Sequence, residues 1–196
     1  DGEIIVNHDH DIDGLVIAEH TYSELASHLL ANGEKRPTFD EYLTQAEKAP
    51  KTVLVVEFKP QGSDKRDKAL VRKAIKKIRK HGLWDPSRVT FISFSYCCCK
   101  TVAKLAPAFT NQYLNGDLAP ADLAKAGING IDYHYNVLYE HPEWVKEAHD
   151  LGMSVNVWTV NKAKDMRNFI EMGVDVITTN EPLLLREILG DKEYKN

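Results

Sequence analysis

The chain has 196 residues, 43% hydrophobic and 28% charged, with a formal net charge of −4. That length and composition suit one globular domain with a real core, and the acidic balance argues against a general nucleic-acid binder. No apolar run approaches the length of a membrane span, so stable membrane insertion is not expected.

In chain order, "EIIVNHD" (3–9) reads as a short strand ending in His8-Asp9, and Asp1-Gly2 before it as a turn pair, the tip of a hairpin whose first strand is absent. Residues 10–37 read as an irregular insertion with one helical piece, "TYSELASHLLANG". His10, Asp11 and Asp13 lie in it; a metal cluster and a solvated loop are both open there. From residue 39 the chain alternates. A helix over 39–48 precedes a strand over 52–58, and a lysine-rich helix spans about 64–81. Strands are expected at 88–95, 108–114, 130–135, 154–160 and 174–180. Helices are expected at 98–105, 119–127, 141–152, 162–173 and 181–190. Cys97, Cys98 and Cys99 are consecutive, which suits neither disulfide geometry nor spaced metal ligands. They read as small buried or half-buried residues early in a helix.

Six strand-then-helix units in a row imply a parallel sheet covered by helices. Their length suits a (β/α)₈ barrel or a doubly wound sheet, and the lack of a Gly-rich dinucleotide fingerprint lowers the second. Polar and aromatic residues gather at the C-terminal strand ends: Glu57, Lys59, Ser93, Tyr133, Trp158 and Thr178. A barrel places its site there.

The stretch "VLVVEFKP" (53–60) raises a specific question. Four apolar residues make a buried strand, yet Glu57 and Lys59 share one face with Val53 and Val55. A simple ion pair explains this; so does a carboxylate for a hard divalent cation beside an ammonium for phosphate oxygens. Alternation in "SVNVW" turns Asn156 and Trp158 inward, where Trp158 either walls a ligand pocket or packs in the core. Tyr133 and Tyr135 have the same two readings. Phe94 reads as core, and Asn180 as a cap for the last helix. His8 ends an apolar strand, which leaves a structural role and an acid–base role open.

Taken together and in order, "DGEIIVNHD", "RPTFDEYL", "VVEFKP", "FISFS", "VNVWTVN" and "GVDVITTNEP" resemble the glycerophosphodiester phosphodiesterase family over nearly the whole chain. The resemblance implies an α/β protein of the TIM-barrel type. It also implies metal-dependent hydrolysis of a glycerophosphodiester to glycerol 3-phosphate and an alcohol. His8 then matches one of two acid–base histidines. Glu57 matches a carboxylate ligand of Mg²⁺ or Ca²⁺, and Lys59 and Trp158 fall to substrate binding. The family's "HRG" and "E-x-D" have no match in the sequence. The expectation is therefore a single barrel domain over 1–196, truncated by its first strand, first helix and second strand, with an insertion at 10–37. The N-terminal part of the same barrel would be its partner. Periplasmic or secreted placement fits the resemblance, and a cytoplasmic one stays open. Two rival functions remain: a phospholipase C-like or sphingomyelinase D-like lipid phosphodiesterase, drawing on Leu15, Val16, Ile17, Leu29 and Leu30, and a non-catalytic barrel binding a phosphorylated ligand.

Overall fold

A computed structural model describes residues 1–190, so the end of the domain expected over 1–196 lies outside the described residues. The N-terminal region holds a small antiparallel hairpin, β1 (Asp11–Ile12) and β2 (Leu15–Val16), a 3₁₀ turn at Ile17–Glu19 and one turn of helix, α1 (Tyr22–Leu25). Then follow α2 (Phe39–Glu47), β3 (Leu54–Phe58), α3 (Asp64–Lys80), β4 (Val89–Ser93), α4 (Tyr96–Leu105), β5 (Thr110–Tyr113) and α5 (Pro120–Lys125). The chain continues through β6 (Gly130–His134), α6 (Tyr135–Glu140), α7 (Glu143–Asp150), β7 (Ser154–Trp158), α8 (Ala163–Met172), β8 (Val176–Ile177) and α9 (Pro182–Ile188).

Strands β3 to β8 form one parallel sheet in sequence order. The sheet curls into part of a (β/α)₈ barrel. The described residues contain neither the first strand, the first helix nor the second strand of such a barrel, so β3 and β8 are its two edges.

Local chemistry sets the helix starts. Thr38 and Glu41 cap α2 reciprocally, as Thr21 and Glu24 cap α1. Ser63 and Ser95 accept backbone N–H groups at the starts of α3 and α4. Gly173 ends α8 in the left-handed region, at φ 84°.

The core lies between sheet and helices. Val56, Phe58, Val89 and Phe91 pack under α2, α3 and α4. Ile131, Tyr133, Val155 and Val157 pack under the C-terminal helices. Phe169 of α8 is fully buried and its ring lies 4.8 Å from that of Tyr139. Phe169→Ala is expected to cost about 3–5 kcal/mol through lost burial and a residual cavity, read as a lower urea midpoint with an unchanged slope.

Several sequence expectations are corrected. Residues 3–9 form no strand: Ile5 makes an isolated bridge to Thr38, and Val6 N–H donates to the Pro37 carbonyl. Pairing on one side to a three-residue stretch does not propagate a ladder. The helical piece expected over 21–33 is a single turn, Tyr22–Leu25; beyond it the His28 N–H donates to the Leu25 carbonyl and the His28 ring bonds Asp13. The last helix is not capped by Asn180, whose N–H donates instead to Asn161 Oδ1. The cysteines sit at the start of α4 as expected. Cys98 and Cys99 are buried, Cys97 is half-buried, and none is bridged. Burial pushes the Cys98 thiol up to about 12, which makes it inert.

Candidate active site

The site assembles where strands end. Val56 and Phe58 point to the helices and are buried, so Val55 and Glu57 of β3 take the opposite, concave face. Val53 and Val55 are about half exposed there, because the concave face is open. Lys59 follows the strand, and its Nζ lies 2.7 Å from Glu57 Oε1, with both side chains about a quarter exposed. No aligned hydrogen bond reaches that Glu57 oxygen.

His8 reaches the same place from the N-terminal segment. It lines a cavity of about 320 Å³ along the free edge of β3, together with Val55, Glu57 and Lys59. Its side chain is 89% exposed, and Nδ1 lies 2.9 Å from Asp9 Oδ1. Asn7 shapes this turn: its amide donates to the carbonyls of Asp9 and Asp11, and its oxygen accepts from Arg36. With Nδ1 engaged, Nε2 is the ring nitrogen left to exchange a proton.

Trp158 and its ring neighbours lie outside this cavity. Trp158 is half-buried at the end of β7, and its indole N–H donates to the Asp132 carbonyl at 2.9 Å. Phe94, expected as core, meets Trp158 edge-on at 5.7 Å, and His134 does so at 5.1 Å. Asn156 faces inward as expected and accepts from Thr178 Oγ1. Trp158→Phe removes the indole donor while keeping a ring. A loss of about 0.5–1.5 kcal/mol in stability is expected, measured by urea unfolding.

Two expected site residues face the other way. Tyr133 is fully buried against the helices, and its hydroxyl donates to the Leu118 carbonyl. Ser93 is buried and donates to the Phe58 carbonyl. Tyr135 starts α6 and stacks near His134. In "GIDYHY" the inward residues are therefore Gly130, Asp132 and His134. Gly130 marks the crowded interior: a Cβ there would lie 2.6 Å from both the Gln112 and Ser154 side chains, a contact that only the tertiary structure creates. Asp132 was missed. It is 2% exposed, and burial followed by the charge of Glu57 raises its carboxyl to about 7, against the pull of a hydrogen bond from Asn156.

A carboxylate–ammonium pair and a histidine lining one cavity suit phosphoryl chemistry, and a separate aromatic cluster lies around Trp158 at the end of β7. The sequence profile of the glycerophosphoryl diester phosphodiesterase family matches residues 1–184. The chain belongs to that family. Glycerophosphodiester phosphodiesterases are phosphoric diester hydrolases, and this chain stands among them. It is 41% identical to a glycerophosphodiester phosphodiesterase of Parabacteroides distasonis of known crystal structure, with a TM-score of 0.92, over 96% of this chain and 78% of that one. An Oleispira antarctica phosphodiesterase, solved in complex with its product sn-glycerol-3-phosphate, shares the fold at 17% identity and a TM-score of 0.77, over 95% of this chain and 79% of that one. Among curated proteins, a dermonecrotic toxin of Loxosceles hirsuta is 34% identical over 104 residues, which cover 47% of this chain and 38% of the toxin. The chain thus matches well under half of that toxin's length.

Proposed function

We propose that this chain carries the phosphate- and cation-binding side of a glycerophosphodiester phosphodiesterase site, which hydrolyses its substrate to glycerol 3-phosphate and an alcohol. The observation that supports this most is the shared cavity: His8 lines one space along the free edge of β3 with Glu57 and Lys59, about 50 positions away in sequence. The product bound by the Oleispira enzyme is of the same chemical class.

The donor set fits a divalent cation. Glu57 offers a half-buried oxygen without an aligned hydrogen bond among the described residues. Hard oxygen donors suit Mg²⁺ or Ca²⁺. Among the described residues no cluster of three or more His, Cys, Asp or Glu side chains could hold a metal ion, so Glu57 supplies only part of a coordination sphere. When bound, the cation supplies positive charge to the phosphoryl oxygens.

Lys59 places its ammonium beside the non-bridging phosphate oxygens and offsets charge that grows in the transition state. His8 Nε2 gives a proton to the departing alkoxide, a poor leaving group unless protonated. Trp158 walls the glycerol or headgroup side and keeps water from it. The second histidine of the family pattern has no counterpart in these 196 residues.

The test is calorimetric titration with sn-glycerol 3-phosphate, with Mg²⁺ or Ca²⁺ and then with chelator, beside an assay of choline release from glycerophosphocholine. Binding that chelator weakens, and that Lys59→Met weakens by about 10-fold or more, is expected from loss of a charge-assisted contact. No binding of glycerol 3-phosphate under either condition would overturn the reading.

A further inference from the structure

The concave face of β6 carries a carboxylate that the reaction above leaves unused in catalysis. Asp132 is 2% exposed, and its Oδ1 has no hydrogen-bonding partner. A buried carboxylate oxygen with nothing opposite it is costly, and the cost is removed by a cation placed against it.

The sheet register says where that oxygen sits. Glu57 pairs with Ile92, Ile92 with Gln112, and Gln112 with Gly130. Asp132 lies two residues beyond Gly130, one same-face step toward the C-terminal strand ends. Glu57 and Asp132 thus share the concave face, on strands three steps apart in sheet order. Asp132 therefore looks across the concave face toward the Glu57–Lys59 pair, and Glu57 is the charged group that acts on it.

The charges of this group decide what it needs. Glu57 and Lys59 offset one another, and Asp132 adds no positive charge for a phosphodiester anion. A divalent cation would supply that charge. The neighbours are arranged for ligation. Thr178 Oγ1 donates to Asn156 Oδ1 at 3.2 Å, which turns the Asn156 NH₂ toward Asp132, while Asp132 Oδ1 has no partner among the described residues. Hydrogen bonding of this kind orients carboxylate ligands of metal ions.

We propose that Asp132, through Oδ1, is a ligand of the same divalent cation as Glu57, so that β6 as well as β3 holds the metal. This rests on the phosphodiesterase reading above. Asn156 and Thr178 are positioning residues, which hold Asp132 for the ion.

The experiment is a binding measurement, independent of turnover. Tb³⁺ serves as a Ca²⁺ mimic whose emission is sensitised by a nearby indole. Because the Trp158 N–H bonds the Asp132 carbonyl, an ion on Asp132 lies beside that ring. Titration of the 196-residue chain with Tb³⁺, followed by displacement with Ca²⁺, gives both affinities. Asp132→Asn and Glu57→Gln should each weaken both by at least about 10-fold, since even partners of a ligand contribute that much. Trp158→Phe should lose the sensitised emission while calorimetric Ca²⁺ affinity stays. If Asp132→Asn binds Ca²⁺ like the wild type while Glu57→Gln does not, the proposal falls and the hydrolase reading stands. If Asp132→Asn instead loses affinity for sn-glycerol 3-phosphate alone, Asp132 is a substrate group and the proposal falls. A melting curve checks that Asp132→Asn is folded. Should it be unfolded, persistence of the emission in Trp158→Phe would itself overturn the placement. Choline release from glycerophosphocholine, measured separately on the wild type, reports on the hydrolase reading by itself.

Discussion

Glu57→Gln is expected to abolish metal-dependent turnover while leaving the fold largely intact. The substitution keeps the size of the side chain and removes its charge. Glu57 sits on the concave face, away from the packed Val56 and Phe58, so the core does not feel the change. What is lost is an anionic oxygen for the cation and the partner of Lys59 at 2.7 Å. A neutral amide oxygen is a much poorer ligand for a hard divalent ion. The assay is release of glycerol 3-phosphate from glycerophosphocholine at limiting Mg²⁺ or Ca²⁺, with a thermal melt in parallel. Activity within about twofold of wild type at limiting metal would remove Glu57 from the cation site.

His8→Ala is the second large effect, a fall in kcat of about 10²–10⁴-fold, the range for losing a general acid or base. The side chain is 89% exposed and pairs only with its neighbour Asp9, so stability should barely move. Binding of sn-glycerol 3-phosphate should change little, because the histidine acts on the proton of the leaving oxygen rather than on the phosphate charge. A variant that kept kcat and lost affinity would make His8 a binding group.

The two sites of prediction differ in how they could be read from sequence. Glu57 and Lys59 were visible because period-2 alternation on an apolar strand puts both on the face opposite Val56 and Phe58, and charges there need an explanation. The alternation of strands and helices from residue 39 on was visible for the same reason, as was the parallel sheet it implies. His8 was visible as a residue type at the end of "EIIVNHD", but not as part of a strand. The structure shows irregular backbone held by the Ile5 bridge and by Asn7. Its arrival beside Glu57 depends on contacts between segments some 50 positions apart, which no local pattern encodes.

The amino-acid sequence alone determined the alternation of strands and helices from residue 39 on and that a carboxylate and an ammonium share one strand face; it did not show that the helix at 21–33 stops after one turn or that Tyr135–Glu140 is helical. It did not determine the phase of β6. "GIDYHY" alternates equally well with Tyr133 inward or with Asp132 inward, since both faces of a barrel strand are covered and either can be read as apolar. Tertiary structure chose. Gly130 is squeezed between the Gln112 and Ser154 side chains, Tyr133 finds the Leu118 carbonyl on the helix side, and Asp132 is left facing Glu57 across the curved sheet. Periodicity gives a pair of faces, but only the register and curvature of neighbouring strands, which set the close contacts, decide which face is which.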